Sequence, residues 1–499
     1  MVADRDLVGR PAQPAVSDAD RRRRAWRLQG GPPTEPMPLV DLLRRTPYRN
    51  ARVAIEAAEE ARVREALDLA VRLGELMLRS GAGAPQVEGS VAAVCAAAGL
   101  TNVEIDITLQ SLLVHARVDA VHAVTELRVV RSTRHDYARL VAVHELVDAF
   151  VSGHIELPEA VEQLRDIKRA RRIWPDWSVT AATAGLAAAV AVMIGATLFT
   201  AAITVLVVLA VSAVSRLMQP IHLPDFYSNA VSAFIATVLA WVAYALGAQG
   251  WIPLGGKDFA FIVAGGIVAL LPGRTMASAV EDVISGYAVT GAGRLLAVMV
   301  SLTGIIIGVA VALGTTIRLT EALSFTFVSP SVLDLRTTQA EWWASVIGVF
   351  IVGACGSMTM QTLRRLVLPT AALAVGAGSV YAVLTRLFDV GAVTATGLAA
   401  VTLGLVGRLV ALRLGAPAMV VVVPASFGLL PGLTIFRGLY ELVGQNATDI
   451  GTLSFQAGVA TLLGAAGVLL AIATGTTLGE IIASPWDRRV ARVRRRARV

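Results

Sequence analysis

The chain has 499 residues, of which 55% are hydrophobic and only 16% charged, with a mean hydropathy of +0.65. A soluble globule carries nearer a quarter of charged residues, so this composition excludes an ordinary soluble domain and requires lipid-facing surface. The net charge of +7 comes with arginine clusters at 21–24, 168–172 and 488–498, which flank the apolar region as anionic lipid and the positive-inside rule require, and no nucleic-acid partner is expected.

Residues 1–50, rich in proline and arginine, read as a disordered tail, and they hold no apolar core of signal-peptide length. Residues 51–172 read as a small cytoplasmic α/β (α+β) domain. A helical periodicity runs over 54–79, SGAGAP at 80–85 stops it, and proline in the next first turn starts a helix reaching about residue 98. Glu88 in that helix reads as a partner of the helix dipole rather than a general base. NVEIDITL, SLLVHARV and TELRVV are β-branched runs of strand length, followed by helices over 137–151 and 158–171. Cys95 and Cys355 are too few for a disulfide framework or a zinc site and read as packed thiols.

Beyond residue 172 the counting rule of about 20 apolar residues per crossing predicts about ten transmembrane helices. Two come from the uncharged stretch 178–215, with a turn near Phe199, and a third covers 227–246. A short apolar segment at 259–271 stops at Pro272-Gly273, and the fifth helix covers 295–317. The series resumes with 342–360, 366–384, 390–406, a short 418–430 ending at Pro431-Gly432, and 452–482. The domains are therefore a first five-helix set at 173–318, an extracytoplasmic loop at 319–341, a second set at 342–484 and a basic cytoplasmic tail at 485–499.

The two sets read as copies. LLPGRTMASAVEDV at 270–283 aligns with LLPGLTIFRGLYEL at 429–442, and ALGTTI at 312–317 with ATGTTL at 473–478. Five crossings per copy invert the second relative to the first, placing both termini in the cytoplasm of a multi-pass inner-membrane protein. Inverted repeats with a proline- and glycine-broken segment at the matching place in each half mark secondary transporters, because a broken helix presents free N–H groups and a positive dipole end inside the membrane. Pro272, Gly273, Pro431 and Gly432 are thus candidate pathway residues. So are the polar trios that follow at helical spacing, Thr275, Ser278 and Asp282, and Thr434, Arg437 and Glu441. The competing reading places both trios on wetted surface helices. Asp225 and Glu281 are weaker candidates, Asp225 reading more readily as a helix cap.

No G-x-x-x-x-G-K-[ST] string supports ATP coupling, which leaves an ion gradient, most simply protons. HELVD at 144–148 begins a zincin motif but lacks its second histidine. No catalytic residue, metal or cofactor is expected.

Three stretches carry a family resemblance: RSGAGAPQVEGSVAAVCAAAGL at 79–100, RLVAVHELVDAFVSGHIELPEAVEQLRDI at 139–167, and the two Pro-Gly segments. Over roughly residues 60–480 the chain resembles the threonine/serine exporters of the ThrE type. The resemblance implies a cytoplasmic domain, ten helices and proton-driven export of small hydroxy amino acids. It also brings in dicarboxylate export, seen in related split systems. The expectation is an exporter of threonine or serine, with protons and the lipid membrane as partners and homo-oligomerisation left open. A hydrolase active in the cytoplasmic domain and a ligand-sensing membrane receptor are the rival classes.

Overall fold

The structure, a computed structural model, describes residues 51–100, 102–117, 123–131, 134–221, 223–322, 341–443 and 455–497. The expected disordered tail, most of the 319–341 loop and the last two residues lie outside them. The chain divides into two compact units, 1–63 and 64–499. In the first, only the beginning of helix α1 (Ala51–Ser80) is described. The second holds the other elements.

The strand-bearing part follows the sequence pattern closely. Helix α1 ends where Gly81 takes φ +98°, a left-handed conformation that glycine adopts without a Cβ penalty. Helix α2 (Ala84–Ala97) then starts with proline in its first turn. Strands β1 (Val103–Thr108), β2 (Ser111–Arg117) and β3 (Ala123–Val129) form an antiparallel sheet in that order. Helix α3 (Tyr137–Val151) is capped by Asp136, whose carboxylate accepts from the Arg139 N–H at 3.1 Å, and α4 (Leu157–Arg169) ends in basic residues that suit its dipole. Leu67, Leu73, Leu112, Tyr137 and Leu140 are fully buried in this part.

Eight helices among the described residues are long and apolar enough to cross a membrane. They are α5 (Asp176–Met193), α6 (Leu198–Met218) and α7 (Asp225–Ala248), then α10 (Ala288–Ala322), α11 (Trp342–Thr359), α12 (Arg364–Leu387), α13 (Ala392–Leu414) and α16 (Phe455–Ala497). The two remaining segments of the expected ten are interrupted. The first is α8 (Gly256–Val268) followed by α9 (Gly273–Ile284); the second is α14 (Met419–Ala425), a 3-10 turn at Ser426–Leu429, and α15 (Gly432–Val443). At 1.5 Å per residue, the 13 residues of α8 rise only about 20 Å, short of the roughly 30 Å hydrocarbon core. Proline causes the second break by pushing the preceding Leu430 into extended backbone, φ −65° and ψ 134°.

Helix pairings recur between the two sets. Helix α5 packs on α6 as α11 does on α12, α7 on α10 as α13 does on α16, and α9 on α10 as α15 does on α16, while α5 and α11 pack on each other. Gly304 and Gly308 of α10 face the Phe226 and Ala230 carbonyls of α7; Gly404 of α13 faces that of Thr476, and Gly479 of α16 that of Val401. A Cβ at any of these would strike backbone, so the bare surface sets how closely the helices approach where lipid supplies no hydrophobic drive.

The strand-bearing part is bonded to both sets. The Leu109 N–H donates to Thr290 Oγ1 at 3.1 Å, and that hydroxyl donates to the Ile107 carbonyl at 3.0 Å, which seats the β1–β2 turn on the start of α10. The Tyr137 and Ala138 N–H groups donate to the carbonyls of Met360 and Gln361 at the α11–α12 junction. Gln361, with φ 57°, accepts from the Trp174 N–H and donates to its carbonyl, at 3.0 and 2.9 Å, pinning the entry to α5.

Candidate functional site

The two interrupted segments meet inside the helical region. Gly273 lies against the Leu430 side chain, and Gly432 against Val268 and Leu271. Beside this crossing is a cavity of about 230 Å³, lined by Val179, Thr183 and Leu186 of α5, Val268, Ala269, Leu271 and Gly273 of the first break, Thr359 and Met360 at the end of α11, and Phe427 and Leu430 of the second break. Drug-sized ligands occupy about 300–1,000 Å³, so this space suits a smaller molecule. Its lining side chains are apolar except for two hydroxyls, and backbone supplies the rest of its polar surface. Thr183 donates to the Val179 carbonyl and Thr359 to that of Gly356, both within their own helices, leaving the oxygen lone pairs as acceptors. Helix geometry leaves the first-turn N–H groups of α9, next to Gly273, without partners inside that helix. The cavity therefore combines an apolar wall, hydroxyl acceptors and a positive helix end.

Of the residues singled out from the sequence, Gly273 lines this space, while Pro272 caps α9 and Gly432 is buried at the crossing. Thr275 and Ser278 are half-buried along α9, and Thr434 is exposed. The two carboxylates lie near the far ends of α9 and α15 and Arg437 midway along α15, all away from the cavity lining. Asp282 is fully buried: its Oδ2 accepts from Arg294 Nη1 of α10 at 2.5 Å and its Oδ1 from the Ala84 N–H of α2 at 2.9 Å. It therefore ties three helices together and supplies the carboxylate that the α2 N-terminus favours. Glu88, expected in that role, lies beyond the first turn, which holds no acidic residue.

Glu441 of α15 is also buried. Arg437 Nε, one turn earlier, donates to its Oε1 at 2.8 Å, and Thr461 Oγ1 of α16 donates to its Oε2 at 2.7 Å. Asp225 is exposed as the first residue of α7 and makes no capping bond, Pro224 holding the cap position. Glu281 lies beside Gly83, outside the eight membrane-length helices. Sequence reasoning missed Arg294 and Thr461 as partners and the cavity contributions of Thr183, Thr359, Met360 and Phe427. An arginine immediately ahead of the expected span start at residue 295 was a signal for the first; no spacing rule pointed to the others. No group of three or more His, Cys, Asp or Glu among the described residues could hold a metal ion.

A ThrE family model matches residues 68–316, and a second, described as "Threonine/Serine exporter, ThrE", matches 345–482. A "Probable threonine/serine exporter" of Mycobacterium tuberculosis is 30% identical over 94% of this chain and 84% of its own length. The chain belongs to the threonine/serine exporter family. A "Threonine/serine exporter" of Corynebacterium glutamicum is 27% identical over 90% of this chain and 87% of its own length. No solved structure matches the chain.

Membership makes this a multi-pass membrane transporter and not an enzyme, in line with the eight membrane-length helices. The boundary between the two family matches falls between α10 and α11, so each exporter-family match takes one of the recurring helix sets.

Proposed function

We propose that the protein exports small hydroxy amino acids, threonine or serine, across the plasma membrane, binding them in the cavity at the crossing of the two interrupted segments. The observation that carries this is the cavity itself, which joins Gly273 and Leu430 from corresponding breaks to the Thr183 and Thr359 hydroxyls. In this reading the α9 N-terminus takes the substrate carboxylate, the threonine oxygens meet the side-chain hydroxyl, and Leu186, Leu271 and Phe427 enclose the methyl group.

The reading includes two inverted repeats. Its support is direction. Helix α5 departs from the strand-bearing part at Trp174, whereas α11, its counterpart, arrives there at Met360. Likewise α9 ends at that part, on Ala84 and beside Thr290. Asp258 at the start of α8 instead accepts from Thr200 of α6, at the opposite end of the bundle. Helices α8 and α9 together then make one interrupted crossing, five crossings per set, with the strand-bearing part and both termini in the cytoplasm. Proton motive force drives export, and Glu281 of α9 is the titrating group, while Asp282 stays committed to Arg294 and Ala84.

Counterflow of labelled threonine in proteoliposomes of the purified protein tests the function, with serine and succinate as competing substrates. Saturable exchange of threonine is expected. Exchange of succinate alone, or of no small acid, overturns the reading.

A further inference from the structure

The strand-bearing part holds two larger cavities unlike the membrane one. The first, about 430 Å³, is lined on its charged side by Arg79, Arg134, Arg139, Lys168 and Arg172, with Asp136 the acidic residue among the lining groups. The second, about 580 Å³, shares Leu76, Arg79 and Lys168 with it and adds further cations from α4. Three elements and the approach to α5 converge here: Arg79 ends α1, Arg134 and Arg139 flank the start of α3, and Lys168 closes α4.

Several of these cations are already bound. Arg139 contacts Asp136 at 3.3 Å and donates to the Ala170 carbonyl at 2.8 Å, Arg172 pairs with Asp176 at 2.9 Å, and Arg79 lies 3.5 Å from Glu75. The side chains of Arg134 and Lys168, both exposed, have no ion-pair partner among the described residues. With Asp136, Glu75 and Asp176 set against the five cations of this cavity, a surplus of two positive charges remains, carried by Arg134 and Lys168. A zwitterionic amino acid cannot balance that surplus, nor can a single carboxylate. A phosphate group carries about −1.5 to −2 near neutral pH and offers three acceptor oxygens to arginine forks.

We propose that this basic cleft is a binding site for a phosphate-bearing anion, separate from the transport cavity. Two sources share that chemistry. A soluble phosphate compound can enter from the aqueous side. An anionic lipid headgroup can enter because Arg172 lies four residues before Asp176, where α5 begins, and Trp177 of its first turn is 72% exposed, as interfacial tryptophans are.

The test uses the full chain in nanodiscs of phosphatidylcholine alone and of phosphatidylcholine mixed with phosphatidylglycerol. Inorganic pyrophosphate is titrated calorimetrically into the first, and thermal midpoints of the two preparations are compared. Saturable, salt-sensitive pyrophosphate binding identifies a soluble ligand, and a higher midpoint with phosphatidylglycerol identifies the lipid. Either effect should fall about tenfold or more in Arg134→Gln/Lys168→Gln, and Lys168→Arg should retain it. Both side chains are exposed and unpaired, so the double variant should keep the wild-type midpoint in phosphatidylcholine alone. Absence of both effects, or their survival in the double variant, overturns the proposal.

Discussion

Asp282 and Arg294 form a buried ion pair between α9 and α10, at 2.5 Å, with the second carboxylate oxygen engaged by the Ala84 N–H of α2. The pair is therefore the junction between the strand-bearing part and the first interrupted segment. Removing one partner of such a pair leaves a buried, uncompensated charge, which costs about 3–5 kcal/mol. Arg294→Met should lower the thermal midpoint of the purified protein strongly. Adding Asp282→Asn should recover part of the loss, because the amide oxygen still accepts from Ala84. Independent, additive effects in that double-mutant cycle would contradict the pairing.

Glu281 gives a coupling prediction. In the transport reading Glu281→Gln should lose proton-driven accumulation while keeping exchange, measured as threonine accumulation with and without an imposed pH gradient beside counterflow. Unchanged gradient-driven accumulation would remove Glu281 from the proton path.

The cavity gives a steric prediction. Leu430 projects to Gly273 and lines the 230 Å³ space, so Leu430→Trp should fill it. Threonine counterflow should drop at least about tenfold, with the protein still eluting as a single species in detergent. Undiminished counterflow would place the substrate elsewhere.

Glu441 should report on the second set. Its oxygens are held by Arg437 and Thr461, and Thr461→Val removes one neutral donor to a charged acceptor, a loss of about 1.5–3 kcal/mol. Glu441→Gln should weaken exchange and lower the thermal midpoint together. A variant with the wild-type midpoint and wild-type exchange would make the Arg437–Glu441 contact a surface pair of no consequence.

Cysteine labelling tests the crossings. Single cysteines at Trp251, between α7 and α8, and at Ser285, between α9 and α10, are both at exposed positions. They should react with a membrane-impermeant maleimide from opposite sides. Cys95 should not contribute, since burial pushes its thiol up to about 11. Reaction from the same side would make α8–α9 a re-entrant hairpin and leave four crossings per set.

Much of the fold was legible because its signals are local. SGAGAP marked the α1–α2 turn, the three β-branched runs became β1 to β3, and uncharged length found the eight long helices. Pro272-Gly273 and Pro431-Gly432 located both breaks because proline acts on its neighbours. What the pattern could not supply was distance along the chain. Asp282 looked like one member of a polar trio, yet its partners are Arg294 and Ala84, the latter 198 residues earlier. The cavity residues Thr183 and Thr359 sit on apolar helices where one threonine looks like another.

The strand-bearing part is hydrogen-bonded to α10 through Thr290 and to the α11–α12 junction through Met360 and Gln361, and α5 packs on α11. Peptide continuity between α10 and α11 is thus not what holds the two sets together. Expressed as two polypeptides divided there, the halves would still have complementary surfaces to find each other. The N-terminal piece would bring the clamp, and the C-terminal piece the backbone carbonyls it grips.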